Sequence, residues 1–92
     1  MAQNALHLSH PEIIQRLKRA EGHLRGTIAM IERGRPCLEL AQQLHAVEKA
    51  VANAKRTLIH DHIDHCLEHA AGGAPAKARH AIEEFREITK YL

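Results

Sequence analysis

Residues 36–70 read PCLEL AQQLHAVEKA VANAKRTLIH DHIDHCLEHA. Leu40, Leu44, Val47, Val51, Ala54 and Leu58 follow alternating steps of four and three, the repeat of a helix that packs along other helices. After Pro36 no glycine or proline interrupts the run until Gly72-Gly73-Ala74-Pro75. At 1.5 Å per residue such a helix extends roughly 50 Å, longer than a compact domain of this size is wide. One protomer's remaining helices cannot cover it, so the seam predicts an obligate oligomer built on helix–helix packing.

Shorter helices flank this one. Ser9-His10-Pro11-Glu12 reads as a capping box with proline in the first turn. Ile13, Leu17, Ala20, Leu24, Ile28 and Ile31 then recur at helical spacing. Gly34 is a stop signal and Pro36 allows a restart. Gly22 and Gly26 lie inside the first helix at a cost in propensity, which predicts another helix packed close there. A third helix carries Ala78, Ile82, Phe85, Ile88 and Leu92 on one face. The expected fold is all-α: one domain over residues 1–92, a flexible start at 1–8, and helices at about 10–33, 36–70 and 76–91.

Composition agrees with helix and narrows the function. Among 92 residues there is one phenylalanine and one tyrosine, which disfavours sheet and gives no aromatic cluster for stacking on bases. No apolar run is long enough to span a bilayer, so no membrane partner is expected. No signal peptide and only two cysteines point to a reducing cytoplasm, where thiols more often serve metal or redox chemistry than structural bridges. Glycine-rich phosphate loops and oxyanion-hole motifs are missing, so neither an enzyme nor a small-molecule substrate is expected. The net charge of +2 is unevenly spread: residues 1–60 hold nine Lys/Arg against five Asp/Glu, and residues 61–92 four against six. The basic part hints at a polyanion-binding face.

Nine histidines point to metal, and four of them lie in His60-Asp61-His62-Ile63-Asp64-His65-Cys66-Leu67-Glu68-His69. On a helix His62 and Cys66 are i and i+4, one above the other, and an imidazole and a thiolate so placed can chelate one ion. His65 and His69 form a second such pair on the neighbouring face. Cys37 lies near the other end of the same helix, roughly 37 Å from His62 along a straight axis. Two such helices packed antiparallel bring Cys37 of one chain beside His62 and Cys66 of the other, giving two equivalent sites in a two-fold dimer.

The pattern of Cys37, His62 and Cys66 on a long central helix resembles the CsoR/RcnR/FrmR family of metal- and formaldehyde-sensing repressors. So do the segments Arg16-Leu17-Lys18-Arg19-Ala20-Glu21-Gly22-His23-Leu24-Arg25-Gly26 and Gln42-Gln43-Leu44-His45-Ala46-Val47. The resemblance implies a three-helix protomer, an antiparallel dimer doubled into a dimer-of-dimers tetramer, and repression that is relieved when the effector binds.

Three effectors compete. The stretch from Asp61 to Cys66 and the ending from Phe85 to Leu92 look most like the nickel- and cobalt-efflux regulators DmeR and NreA. That branch adds an N-terminal nitrogen ligand, for which His7 and His10 are the candidates; His10 could instead serve only the helix cap. Four N/S donors in a plane suit Ni(II), and Co(II) can use more. In the copper branch two thiolates and one imidazole hold Cu(I), and Glu84 matches that branch's glutamate, which supports a ligand from outside the coordination sphere. Pro36 stands where that branch usually carries a tyrosine. The formaldehyde branch relies on a cysteine like Cys37 and a proline after the first Met, where this chain has Ala2. The order of expectation is Ni(II)/Co(II), then Cu(I), then formaldehyde.

Double-stranded operator DNA is the expected partner. Its candidate footprint is Arg16, Lys18, Arg19 and Arg25 on the first helix and Lys49, Lys55 and Arg56 on the second, and such phosphate contacts are strongly salt-dependent. Arg16 matches a DNA-contacting arginine of the family, whereas Glu48 and Asn53 stand where many relatives carry arginines. A metal-buffering protein that ignores DNA is the rival reading.

Overall fold

A computed structural model describes residues 9–72 and 75–92, with the side chains of 69–72 excepted. Its elements are α1 (His10–Glu32), α2 (Cys37–Gly72) and α3 (Pro75–Thr89). The described residues contain no strand, so the chain is all-helical, and each helix end falls within two residues of its expected place. None of these helices is long and apolar enough to cross a membrane. Two compact units emerge, one formed by Pro11–Ala54 and the other by Lys55–Leu92 with His10. The helix α2 runs through both without a break.

In the first unit α1 folds back on the first half of α2 as an antiparallel hairpin. Gly34 makes the reversal possible with φ of 72°, a left-handed conformation that strains any residue with a Cβ. Arg35 N donates to Met30 O at 3.1 Å and Gly34 N to Ile31 O at 3.0 Å. Together these form the paired Schellman closure that satisfies the last carbonyls of a helix. Pro36 O then accepts from Leu40 N at 3.2 Å, opening α2.

Ile13, Ala20 and Thr27 are buried on α1, and Val47 and Ala54 on α2, each set seven residues apart. Thr27 satisfies its buried hydroxyl by donating to His23 O at 3.0 Å. The apolar seam expected on α2 proves to be two stripes. Val47 and Ala54 are buried with Leu40 half-buried, while Leu44, Val51 and Leu58 stay 45%, 45% and 38% exposed. A period of 3.5 places both stripes near the same face but cannot say which one the chain itself covers.

Two local expectations fail. The hydroxyl of Ser9 is buried with no hydrogen-bond partner, so it does not close the capping box. Glu12 instead accepts from Arg16, 2.8 Å from the guanidinium, a charged partner one turn along the same helix. Nor, among the described residues of this chain, does another helix crowd Gly22 or Gly26: a Cβ built at either meets nothing within 4 Å. α1 buries the edge holding Ile13, Ala20 and Thr27, and both glycines lie off it.

In the second unit Ile59, Cys66 and Ala81 form the buried core. Ile59 and Cys66 are two turns apart on α2, and Ala81 is the buried residue of α3. The chain ends in a tightened turn, with Lys90 N, Tyr91 N and Leu92 N bonded three residues back.

The two glycine types give opposite expectations. Gly22→Ala should stabilise the protein by about 0.5–1 kcal/mol through helix propensity. Gly34→Ala should cost about 1–2 kcal/mol because of its positive φ. Urea unfolding at one fixed protein concentration reads both, and a loss of stability for Gly22→Ala would mean that a neighbour does approach α1 there.

Candidate metal centre and basic cleft

Helical spacing puts His62 one turn before Cys66, and α3 brings a third donor to the same place. Cys66 is 4% exposed, His62 is half-buried and Glu84 is open to solvent. One donor atom from each of these three residues lies within 4.8 Å of the others, the one such His/Cys/Asp/Glu group among the described residues. Glu84 Oε2 lies 3.2 Å from His62 Nε2. Its other oxygen lies 3.0 Å from Nε2 of His80, one turn earlier on α3. The carboxylate is thus held between two imidazoles.

Burial pushes the Cys66 thiol above its ordinary pKa, and the negative charge of Glu84 pushes it further. Both effects disfavour the thiolate. Without an ion, the proton on sulfur spares a buried anion; a cation between sulfur and carboxylate would reverse that preference. The donor chemistry fits a transition metal: one thiolate, one imidazole and one carboxylate are common ligands of first-row ions.

Not every expected ligand is here. Cys37 stands exposed in the first turn of α2 as a free thiol and is outside the group. His10 opens α1 and is outside it too, and His7 lies outside the described residues. His65 is half-buried on α2, and the side chain of His69 is not described. Glu84, expected to support a ligand from outside the coordination sphere, stands with an oxygen 3.2 Å from His62 Nε2. His80 was missed altogether, although its i, i+4 spacing to Glu84 is visible in the sequence.

The first unit holds a separate feature. Arg16, Arg19, Ala20 and His23 of α1 and Ala50 and Asn53 of α2 line a cleft of about 240 Å³. Ala20 and Ala50 keep it open, and Asn53 adds a polar amide where a cation would have raised the charge further. At its edge His23 Nε2 donates to Gln43 Oε1 at 2.6 Å, tying the two helices together. Arg16 pairs with Glu12 at 2.8 Å and Arg25 with Glu21 at 3.4 Å. Such exposed pairs are weak and yield readily to a stronger anion.

Lys18 is not part of this cleft. It lines another hollow with Ile14, Leu17 and Glu21, because residues two apart on a helix do not share a face. Lys49 is exposed near Ala50, and Lys55 and Arg56 are exposed in the second unit.

Comparison with known proteins gives the family and the fold. The family described as metal-sensitive transcriptional repressor matches residues 9–91. The copper-sensing transcriptional repressor CsoR of Bacillus subtilis (strain 168) is 35% identical over 81 residues, 86% of this chain and 80% of that protein. CsoR of Mycobacterium ulcerans (strain Agy99) is 33% identical over 78 residues, 85% of this chain. This chain spans 65% of that mycobacterial protein's length. The solved structure of the nickel-responsive transcriptional regulator InrS superposes with a TM-score of 0.79 at 32% identity, covering 90% of this chain and 91% of that one. The match runs through all three helices, and the chain belongs to the family of metal-sensitive transcriptional repressors.

Proposed function

We propose that this protein represses transcription by binding operator DNA in its metal-free form and releases the DNA when Ni(II) or Co(II) binds, derepressing metal efflux. The observation that carries the reading is the buried Cys66 thiol beside His62, with the second thiol, Cys37, left exposed. Cys37 of a second copy completes the site across the subunit interface, and His7 or His10 adds a nitrogen donor. Soft thiolate and borderline imidazole together suit late first-row ions. The nickel-responsive neighbour InrS supports this ion class. A Cu(I) reading has its own support in the copper-sensing relatives, with Cys37, His62 and Cys66 as a trigonal site.

The apolar stripe of Leu44, Val51 and Leu58 supports the assembly that such a site requires. Half-exposed large side chains seven residues apart on one helix are what a second helix covers. An antiparallel pair of α2 helices doubled into a dimer of dimers would bury them. Val51→Glu is expected to lower the mass measured by sedimentation to that of a smaller species. An unchanged mass would put the interface elsewhere.

DNA is held by the basic cleft. Arg16 and Arg19 on one edge of α1 meet phosphates, and Lys18, Arg25, Lys49, Lys55 and Arg56 add long-range attraction. Fluorescence anisotropy with DNA from the gene's upstream region tests the whole reading. Metal-free protein should bind tightly, and one of Ni(II), Co(II) or Cu(I) should release it from wild type but not from Cys37→Ala. Arg16→Glu with Arg19→Glu should abolish DNA binding and leave metal binding intact. Wild type that binds metal but not this DNA at low salt would instead be a metal buffer.

Metal binding should also depend on pH in a defined direction. Cys66 ligates as thiolate, and its raised pKa keeps the proton on sulfur through neutrality, so each ion displaces one proton there. Apparent affinity should rise with pH by up to about tenfold per unit for each thiolate bound, about a hundredfold with Cys37 and Cys66 together, and level off above the raised value. Competition titrations from about pH 6 to about pH 9 check this. A flat profile would remove both thiolates from the ligand set, and a flat profile in Cys37→Ala alone would remove Cys66.

A further inference from the structure

The basic cleft of the first unit holds a third group that can carry positive charge. Arg16, Arg19 and His23 follow one another at steps of three and four along one edge of α1, so their side chains stand in a row. All three line the cleft of about 240 Å³. His23 is half-buried, and its Nε2 lies 2.6 Å from Gln43 Oε1 on α2. An amide oxygen only accepts, so Nε2 carries a hydrogen in that bond and the proton the ring gains or loses is the one on Nδ1. The tie between α1 and α2 therefore persists whether the ring is neutral or charged. Protonation changes the charge of the cleft and leaves its walls in place.

The charges around the ring favour an anionic guest. On α1, Arg19 stands one turn before His23 and Arg16 one turn further back. The acidic residues of that stretch are engaged elsewhere, Glu12 with Arg16 at 2.8 Å and Glu21 with Arg25 at 3.4 Å. On α2 the partner Gln43 and the cleft residues Ala50 and Asn53 are uncharged. Within one turn of these three along α2 are Glu39, paired with Arg35 at 2.8 Å, and the cations Lys49 and Arg56. Glu48 lies one turn from Leu44 and Val51, on the open edge of the helix. No carboxylate is among the residues lining the cleft. Two guanidinium groups oppose a third cation beside them, and a phosphate seated among them favours it. Histidine is the side chain that changes charge between about pH 5 and about pH 8 without special tuning.

We propose that His23, in its protonated form, is a phosphate-contacting residue of this cleft. A DNA phosphodiester entering between Arg16, Arg19 and His23 then brings a solvent proton onto His23 Nδ1, and operator binding is proton-linked. The inference rests on the reading of the cleft as the DNA-binding face and deepens it by naming a third cationic contact. The complex holds more protons than the free protein, so lowering the pH favours it.

Fluorescence anisotropy of the full-length, metal-free protein with DNA from the gene's upstream region, at about pH 6 and about pH 8 over a range of salt, tests this. Wild-type affinity should rise on acidification by up to about tenfold per pH unit for each cleft engaged. The slope of log affinity against log salt should also steepen by about 0.9 for each cleft engaged. His23→Gln keeps a donor for Gln43 and removes the proton site, and it should lose most of both pH effects. His23→Arg carries a fixed charge and should show the steep salt slope at both pH values. Wild-type pH dependence retained in either variant would overturn the proposal, so the test holds if helical circular dichroism shows one of them misfolded. Wild type whose affinity and salt slope ignore pH would overturn it as well, and in each of these cases the DNA reading stands. Wild type that binds none of this DNA at low salt, at either pH, would overturn the DNA reading and the proposal with it.

Discussion

The rest of the molecule depends on how α2 spends its two apolar edges. Leu40, Val47 and Ala54 lie along one edge, and α1 covers them. Leu44, Val51 and Leu58 lie along the other, and within the chain they stay exposed. The buried set is mostly small: Ala20, Ala54, Ala81, Thr27 and Cys66 accompany only Ile13, Val47 and Ile59. Small residues let helices approach closely but remove little apolar surface from water. A large aliphatic side chain contributes about 1.5–3 kcal/mol when fully buried, and here many of those side chains lie on the open faces. In a chain this short those open faces are what the proposed assembly would cover, and a binding site that draws on two copies would fit such an assembly.

The second unit shows the same economy in its polar groups. α3 has 15 residues, a length at which an isolated helix is marginal in water. Its seat on α2 consists of Ala81 in the core and the pairing of Glu84 with His62. Ile82 and Phe85 remain substantially exposed. The residues best placed to hold an ion are thus also the residues that dock α3. An ion that replaces the proton on Cys66 and draws Glu84 and His62 together would change how α3 is seated. Ligand binding and helix packing share the same few side chains.

Much of this was legible in the sequence because it is local. The long helix, its glycine stop and the His62–Cys66 pair follow from spacing alone, and the Gly34 reversal follows from one residue's freedom at positive φ. What escaped depends on which surfaces meet. Periodicity marks Leu40 through Leu58 as apolar, but the division into a covered and an open edge is set by how α1 returns across α2. Gly22 and Gly26 suggested a close neighbour, yet α1 packs through another edge. The capping box was sound as a pattern and lost to competition, since the guanidinium of Arg16 offers Glu12 a charged partner. Lys18 belongs with Arg16, Arg19 and Arg25 to one candidate footprint in the sequence, whereas the helix turns it into a different hollow. Glu84 and His80 needed α3 to be placed before their proximity to His62 had meaning.

The separation of the two sites bears on how sensing would work. The basic cleft lies within Pro11–Ala54 and the metal donors within Lys55–Leu92, and the element they share is the uninterrupted α2. α2 contributes residues to both units, so under the proposed function it is the element through which binding in one would be felt in the other. The cleft is suited to respond, because its walls are joined by the His23–Gln43 bond and packed on Ala20 and Ala50. A small sliding of α2 against α1 would change the spacing of Arg16 and Arg19 relative to Asn53 without unfolding either helix. Coupling of about 1–3 kcal/mol, a 5- to 150-fold change in DNA affinity, is ordinary for such devices. Under the proposed function linkage would make the effect mutual: DNA held in the cleft would weaken the grip on metal by the same factor by which metal weakens the grip on DNA.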